Sequence, residues 1–99
     1  MILTTTNSID NYRISDYKGI VTGTSVDAKT TFSFKHEKNL KMTTDVISKV
    51  QESAFLKLKE NAEALGANAV VGITIDFESP EGAYFYANVV GTAVSIIKK

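Results

Sequence analysis

Asp76, Glu78 and His36 are the side chains of this sequence whose types and places make them candidates for holding a metal ion. Asp76 and Glu78 stand two positions apart in an apolar tract, so an extended backbone sets both carboxylates on one face. Two hard oxygen ligands suit calcium or magnesium, and Glu81 lies close by in the sequence. Soft metals ask for thiolate or imidazole. The chain has no cysteine and one histidine, so a single copy cannot build a His/Cys heavy-metal site. A ring of copies would gather several His36 imidazoles around its axis. The plainer account of Asp76 and Glu78 is a solvated strand end before a turn.

Catalytic chemistry finds less support. His36-Glu37 is an adjacent pair that need not face each other, and one histidine without a placed nucleophile defines no triad. No catalytic residue is assigned and no cofactor is expected. Gly23, Gly72 and Gly91 fall inside expected strands; none opens a helix, so none builds a phosphate cradle. Lys29, Lys35, Lys38 and Lys41, with Phe32 and Phe34 between them, could stack bases and hold phosphates. Eleven basic and eleven acidic residues cancel, however, and the chain exerts no global pull on a polyanion. Nucleic acid is not expected as a partner.

The elements that must position these residues follow from periodicity. Ile2–Thr5 reads as a short strand and Tyr12–Val26 as a longer one, bent at Gly19. The stretch from Ala28 to Met42 reads mainly as loop. The strongest signal is a helix from Thr44 to Leu65, capped by Thr43 or Thr44, with Asp45 at the positive end of its dipole. Ile47, Val50, Ala54, Phe55, Leu58, Ala62 and Leu65 form its apolar stripe, with Gln51 and Asn61 as polar members. Gly66 ends it in a left-handed conformation. Ala69–Glu78 is a strand with Val71, Ile73, Ile75 and Phe77 on one side. Ser79-Pro80-Glu81-Gly82 fits a type I turn, and Ala83–Ile97 is the closing strand. Each strand glycine requires a bulge, a bend or close approach of another segment.

Ninety-nine residues make one domain, 1–99, with little core to spare. The closing strand is apolar on both faces: Phe85, Ala87, Val89 and Ala93 on one, Tyr84, Tyr86, Val90, Val94 and Ile96 on the other. One helix covers one face. The other must be covered by the N-terminal strands or by another copy of the chain, and self-association is the expectation. Leu56 lies on the polar side of the helix wheel. Leu56, Tyr84, Tyr86, Val90 and Val94 are the candidate subunit contacts. The N-terminus lacks the basic and apolar blocks of a signal peptide, and no apolar run approaches about 18 residues, so no membrane partner is expected and the cytoplasm is the default compartment.

Ala54-Phe55, Leu58, Ala62, Ala64-Leu65-Gly66-Ala67-Asn68-Ala69-Val70-Val71-Gly72-Ile73 and Ile75-Asp76-Phe77-Glu78 together resemble the YbjQ-like family. Tyr17, Gly19 and Val21-Thr22-Gly23 match its earlier strand, and Gly91-Thr92-Ala93-Val94 its closing one. The resemblance implies an α+β subunit of order β-β-α-β-β, one long helix on a curved antiparallel sheet, in a closed pentameric ring. The family carries a heavy-metal-binding label and no settled biochemical role, so no catalytic residue carries over. Between Ala28 and Met42 this chain departs from the family, whose members look longer there. The expected role is a non-enzymatic homo-oligomeric binding or scaffold module. The alternative is metal-ion or small-ligand binding in a central channel or inter-subunit groove.

Overall fold

The computed structural model contains β1 (Ile2–Leu3), β2 (Tyr12–Asp27), α1 (His36–Ala64), β3 (Ala69–Glu78) and β4 (Phe85–Lys98). It describes residues 1–27, 36–79 and 84–99, and among these the side chains of 1–26, 45–79 and 84–99. The β-β-α-β-β order of an α+β domain is as expected. The sheet runs β1-β3-β4-β2. It is mixed rather than antiparallel: β4 pairs antiparallel with β2 and β3, whereas β1 runs parallel to β3. Eight residues separate β1 from β2, so the two form no tight hairpin, and β1 lies instead along the outer edge of β3.

The helix starts earlier than its cap signals suggest. Thr43, Thr44 and Asp45 lie inside α1, and residues 36–42 are helical rather than loop. Lys38, Leu40, Lys41 and Met42 are good helix formers, and extending an existing helix is easier than nucleating one at a cap. Val50, Ala54, Leu58 and Ala62 are buried against Val21, Val70, Ile73, Phe85, Ala87, Val89 and Ala93. Full burial of Leu58 alone contributes about 2 kcal/mol. Leu65 leaves the stripe: α1 ends at Ala64, the chain turns through Gly66 at φ 79°, and Leu65 is exposed.

The three strand glycines have different causes. A Cβ on Gly23 would lie 2.6 Å from the Leu58 nitrogen and nearer still to the Ala54 carbonyl oxygen, so the missing side chain lets α1 sit directly on β2. Gly91 makes room for Val70 and Ile73. Gly72, at φ 62°, occupies the register shift between Val71 and Thr74. That bulge inverts the expected alternation. Val71 joins the face away from the helix, while Ile73 and Phe77 pack under it.

Asn68 fastens the return from helix to sheet. Its side-chain amide donates to the Ile96 carbonyl at 3.0 Å, and its Oδ1 accepts from the Ile96 N–H at 2.7 Å. On the face away from α1, Ala69, Val71, Val94 and Ile96 are buried beneath Ile2, Ile9, Tyr12 and Ile14. The N-terminal segment therefore closes one end of that face itself.

Candidate functional site

The other end of the far face brings most of the candidate residues together. Pairing across three strands sets them in rows. Thr22, Val90 and Thr74 form one row; Thr24, Asn88 and Asp76 the next; Val26, Tyr86 and Glu78 the last. Asp76 and Glu78 thus share one face, as their spacing requires, and Tyr84 stacks on Tyr86 with ring centroids 6.3 Å apart. Val94 is corrected: it is fully buried within its own chain and has no surface to offer a neighbour. Leu56 stands apart, 55% exposed on α1. His36 opens α1, but its side chain lies outside those described, as do those of Lys38 and Lys41. Glu81, the Ser79–Gly82 turn beyond Ser79, and Lys29, Phe32, Phe34 and Lys35 also lie outside the described residues.

The site's polar groups are organised by each other. The Tyr86 hydroxyl donates to Glu78 Oε2 at 2.7 Å, and the Thr24 hydroxyl donates to Asn88 Oδ1 at 3.0 Å. The bond to Glu78 pushes the Tyr86 phenol up to about 12, with desolvation and the nearby Glu78 and Asp76 carboxylates adding to it. A phenol held this way is a hydrogen-bond donor at neutral pH, not a base or a nucleophile. Carboxylates beside stacked tyrosine rings favour cationic groups through charge and through the ring faces.

The described residues do not assemble a soft-metal centre. Among the described residues no three His, Cys, Asp or Glu side chains converge, and one Glu78 oxygen is already taken by Tyr86. A depression of about 410 Å³ beside Ile2, Thr4, Thr6 and Ile9 is no better a site. The Thr4 and Thr6 hydroxyls bond each other at 2.8 Å, and Thr6 donates to the Ser8 carbonyl.

Two residues that the sequence reading left unassigned hold the edge of β2. Asn61 Nδ2 donates to the Thr22 carbonyl at 2.7 Å and Lys57 Nζ to the Thr24 carbonyl at 2.9 Å. Asn61 had a visible signal, an amide inside an apolar stripe. Lys57 had none. No helix among the described residues is long and apolar enough to cross a membrane.

The YbjQ family model, described as "Putative heavy-metal-binding", matches residues 1–97. A UPF0145 protein of Geobacillus kaustophilus is 36% identical over 108 aligned positions, spanning 97% of this chain and 98% of the relative. The fold resembles a crystal structure from Pediococcus pentosaceus, a DUF74-family protein of unknown function. The TM-score is 0.65 at 23% identity, over 98% of each chain.

Proposed function

The chain belongs to the YbjQ-like family, and from that premise we propose that it acts as a non-enzymatic binding or scaffold module assembled as a pentameric ring of identical subunits. The observation that carries this is the set of exposed apolar side chains on β2, on either side of Thr22 and Thr24 at the open end of the far face. Ile20 is 78% exposed and Val26 58%, beside half-buried Val90 and Tyr86. Tyr17 extends the set at 69%. Single exposed apolar residues need no explanation, but three on one strand support a contact surface. A closed ring joins two different patches of each subunit. Leu56, on the helix, supplies the second.

Light scattering at micromolar concentration tests the assembly, and a clean monomer overturns it. Leu56→Glu weakens the assembly while helix content stays constant; an unchanged oligomer removes Leu56 from the contact.

A second reading rests on the shared face of Asp76 and Glu78. Two carboxylates suit a hard cation whose remaining ligands come from neighbouring copies or water. Calorimetric titration with calcium, magnesium, zinc, copper and nickel decides it, and absence of heat with all five ends it.

A further inference from the structure

An asparagine side chain loses its amide without an enzyme when the backbone nitrogen of the next residue attacks its carbonyl carbon. The reaction needs a side chain that nothing holds, a following N–H that is not hydrogen-bonded, and a small following residue. Four of the described asparagines fail on at least one of these. Asn68 is held at both ends of its amide by Ile96. Asn61 lies in α1 and donates to the Thr22 carbonyl. Asn88 lies in β4, accepts from the Thr24 hydroxyl and precedes branched Val89. Asn11 precedes bulky Tyr12, whose N–H donates to the Ile9 carbonyl at 3.2 Å. Asn7 fails on none. It is exposed in the loop between β1 and β2, and it precedes serine. Among the described residues neither its side chain nor the Ser8 N–H has a hydrogen-bond partner. The Thr6 hydroxyl bends the chain across it by donating to the Ser8 carbonyl at 2.7 Å.

We propose that Asn7 is a modification site at which the folded protein converts asparagine to isoaspartate and aspartate through a succinimide. The Ser8 nitrogen bonds to Asn7 Cγ as the Cγ–Nδ2 bond breaks, and ammonia leaves carrying the Ser8 amide proton. Water then opens the five-membered ring. Attack at Cγ gives aspartate; attack at the backbone carbonyl carbon gives isoaspartate, with one extra methylene in the main chain. Water is the only co-reactant. The site lies between two anchors of the N-terminal segment. On one side the Thr6 carbonyl accepts from the Gly72 N–H at 2.8 Å, and the Thr4 carbonyl from the Ile73 N–H at 3.1 Å. On the other side Ile9 covers the cluster of Ala69, Val71, Val94 and Ile96. A longer main chain between these anchors, with a new negative charge beside Gly72, loosens the cover of this end of the far face. The conversion does not depend on the ring.

The test ages the full chain in mildly alkaline buffer, folded and in urea. Mass spectrometry follows each asparagine-bearing fragment, with electron-transfer fragmentation to tell isoaspartate from aspartate. In folded protein the Asn7 fragment should convert about tenfold faster than those of Asn61, Asn68 and Asn88, and urea should narrow that gap. Ser8→Val should slow the conversion about tenfold, because a branched side chain crowds the attacking nitrogen. Asn7→Gln, whose ring would have six members, should remove it. Amide exchange at Gly72 and Ile73 should quicken in aged protein and stay constant in aged Asn7→Gln. Equal rates at Asn7 and Asn88 in folded protein, an unslowed Ser8→Val, or aspartate without isoaspartate each overturns the proposal. So does conversion of Asn7 in urea alone, which would show that the fold protects the loop. Unchanged exchange at Gly72 and Ile73 after conversion refutes the loosened cover.

Discussion

Val89 and Val90 are neighbours in β4 and meet opposite environments. Val89 points at α1 and is fully buried; Val90 points the other way and remains half-buried. The contrast belongs to the open end of the sheet. The helix face is closed by one continuous element, set down so tightly that Gly23 has no room for a methyl group. The far face is closed piecemeal, apolar under the N-terminal segment at one end and polar with exposed apolar flanks at the other. One face holds the subunit together, and the other leaves surface for something else to use.

The largest effects should come from the helix face. Leu58→Ala removes a fully buried side chain and should cost about 3 kcal/mol in denaturant unfolding. Gly23→Ala should cost a comparable amount, because a Cβ there must push α1 off β2. A loss below about 0.5 kcal/mol for both would mean the helix is not docked as described.

Next comes the covered end of the far face. Val94→Ala should cost about 2 kcal/mol, since Val94 is enclosed by the chain itself. If Val94→Ala instead left unfolding unchanged and only weakened assembly, the N-terminal cover would be open in solution and the contrast between the two ends would fail.

The helix face was legible in the sequence because one period governs it. Val50, Ala54, Leu58 and Ala62 need only the 3.6-residue repeat, and Gly66 its stop signal. The far face was legible only in part. In β4, which carries no bulge, alternation placed Phe85 through Ile96 correctly. In β3 it failed at Val71, because a glycine in a strand announces an irregularity without saying which kind. Gly23, Gly72 and Gly91 look alike in sequence, yet one admits a helix, one bulges and one admits two side chains. The parallel pairing of β1 was hidden because two residues have no pattern of their own. The start of α1 was hidden because a threonine cap signal inside a run of good helix formers is overruled by propagation. For the candidate site, spacing put Asp76 and Glu78 on one face. It could not show that Tyr86 engages Glu78, which depends on a register set by the long-range pairing of β3 with β4.

At the open end, Ile20→Thr should change subunit unfolding by less than about 0.5 kcal/mol, because the side chain already meets solvent. Its effect should appear in assembly, as a lower mass by light scattering at a given concentration. A large loss of subunit stability with unchanged mass would show Ile20 to be part of the fold rather than of a contact.

The smallest effect probes whether the open end is organised in the absence of a partner. Tyr86 holds its proton up to about 12 because its hydroxyl is committed to Glu78. An unfolded tyrosine releases its proton near 10.0. The folded phenol therefore binds its proton more tightly than the unfolded one. Its stabilising contribution is complete below pH 10 and fades as pH rises from 10 to about 12. The Tyr86–Glu78 bond lies in contact with solvent, which screens its effect on stability, and the titration itself is the better readout. Four tyrosines absorb together, and comparison with Tyr86→Phe isolates the late one. Glu78→Gln should bring that late titration back toward 10.0. If Glu78→Gln leaves the tyrosine titration as it was, the Tyr86–Glu78 bond does not persist in solution. The open end would then be loose surface rather than an organised polar platform, and its difference from the helix face would be one of order as well as of cover.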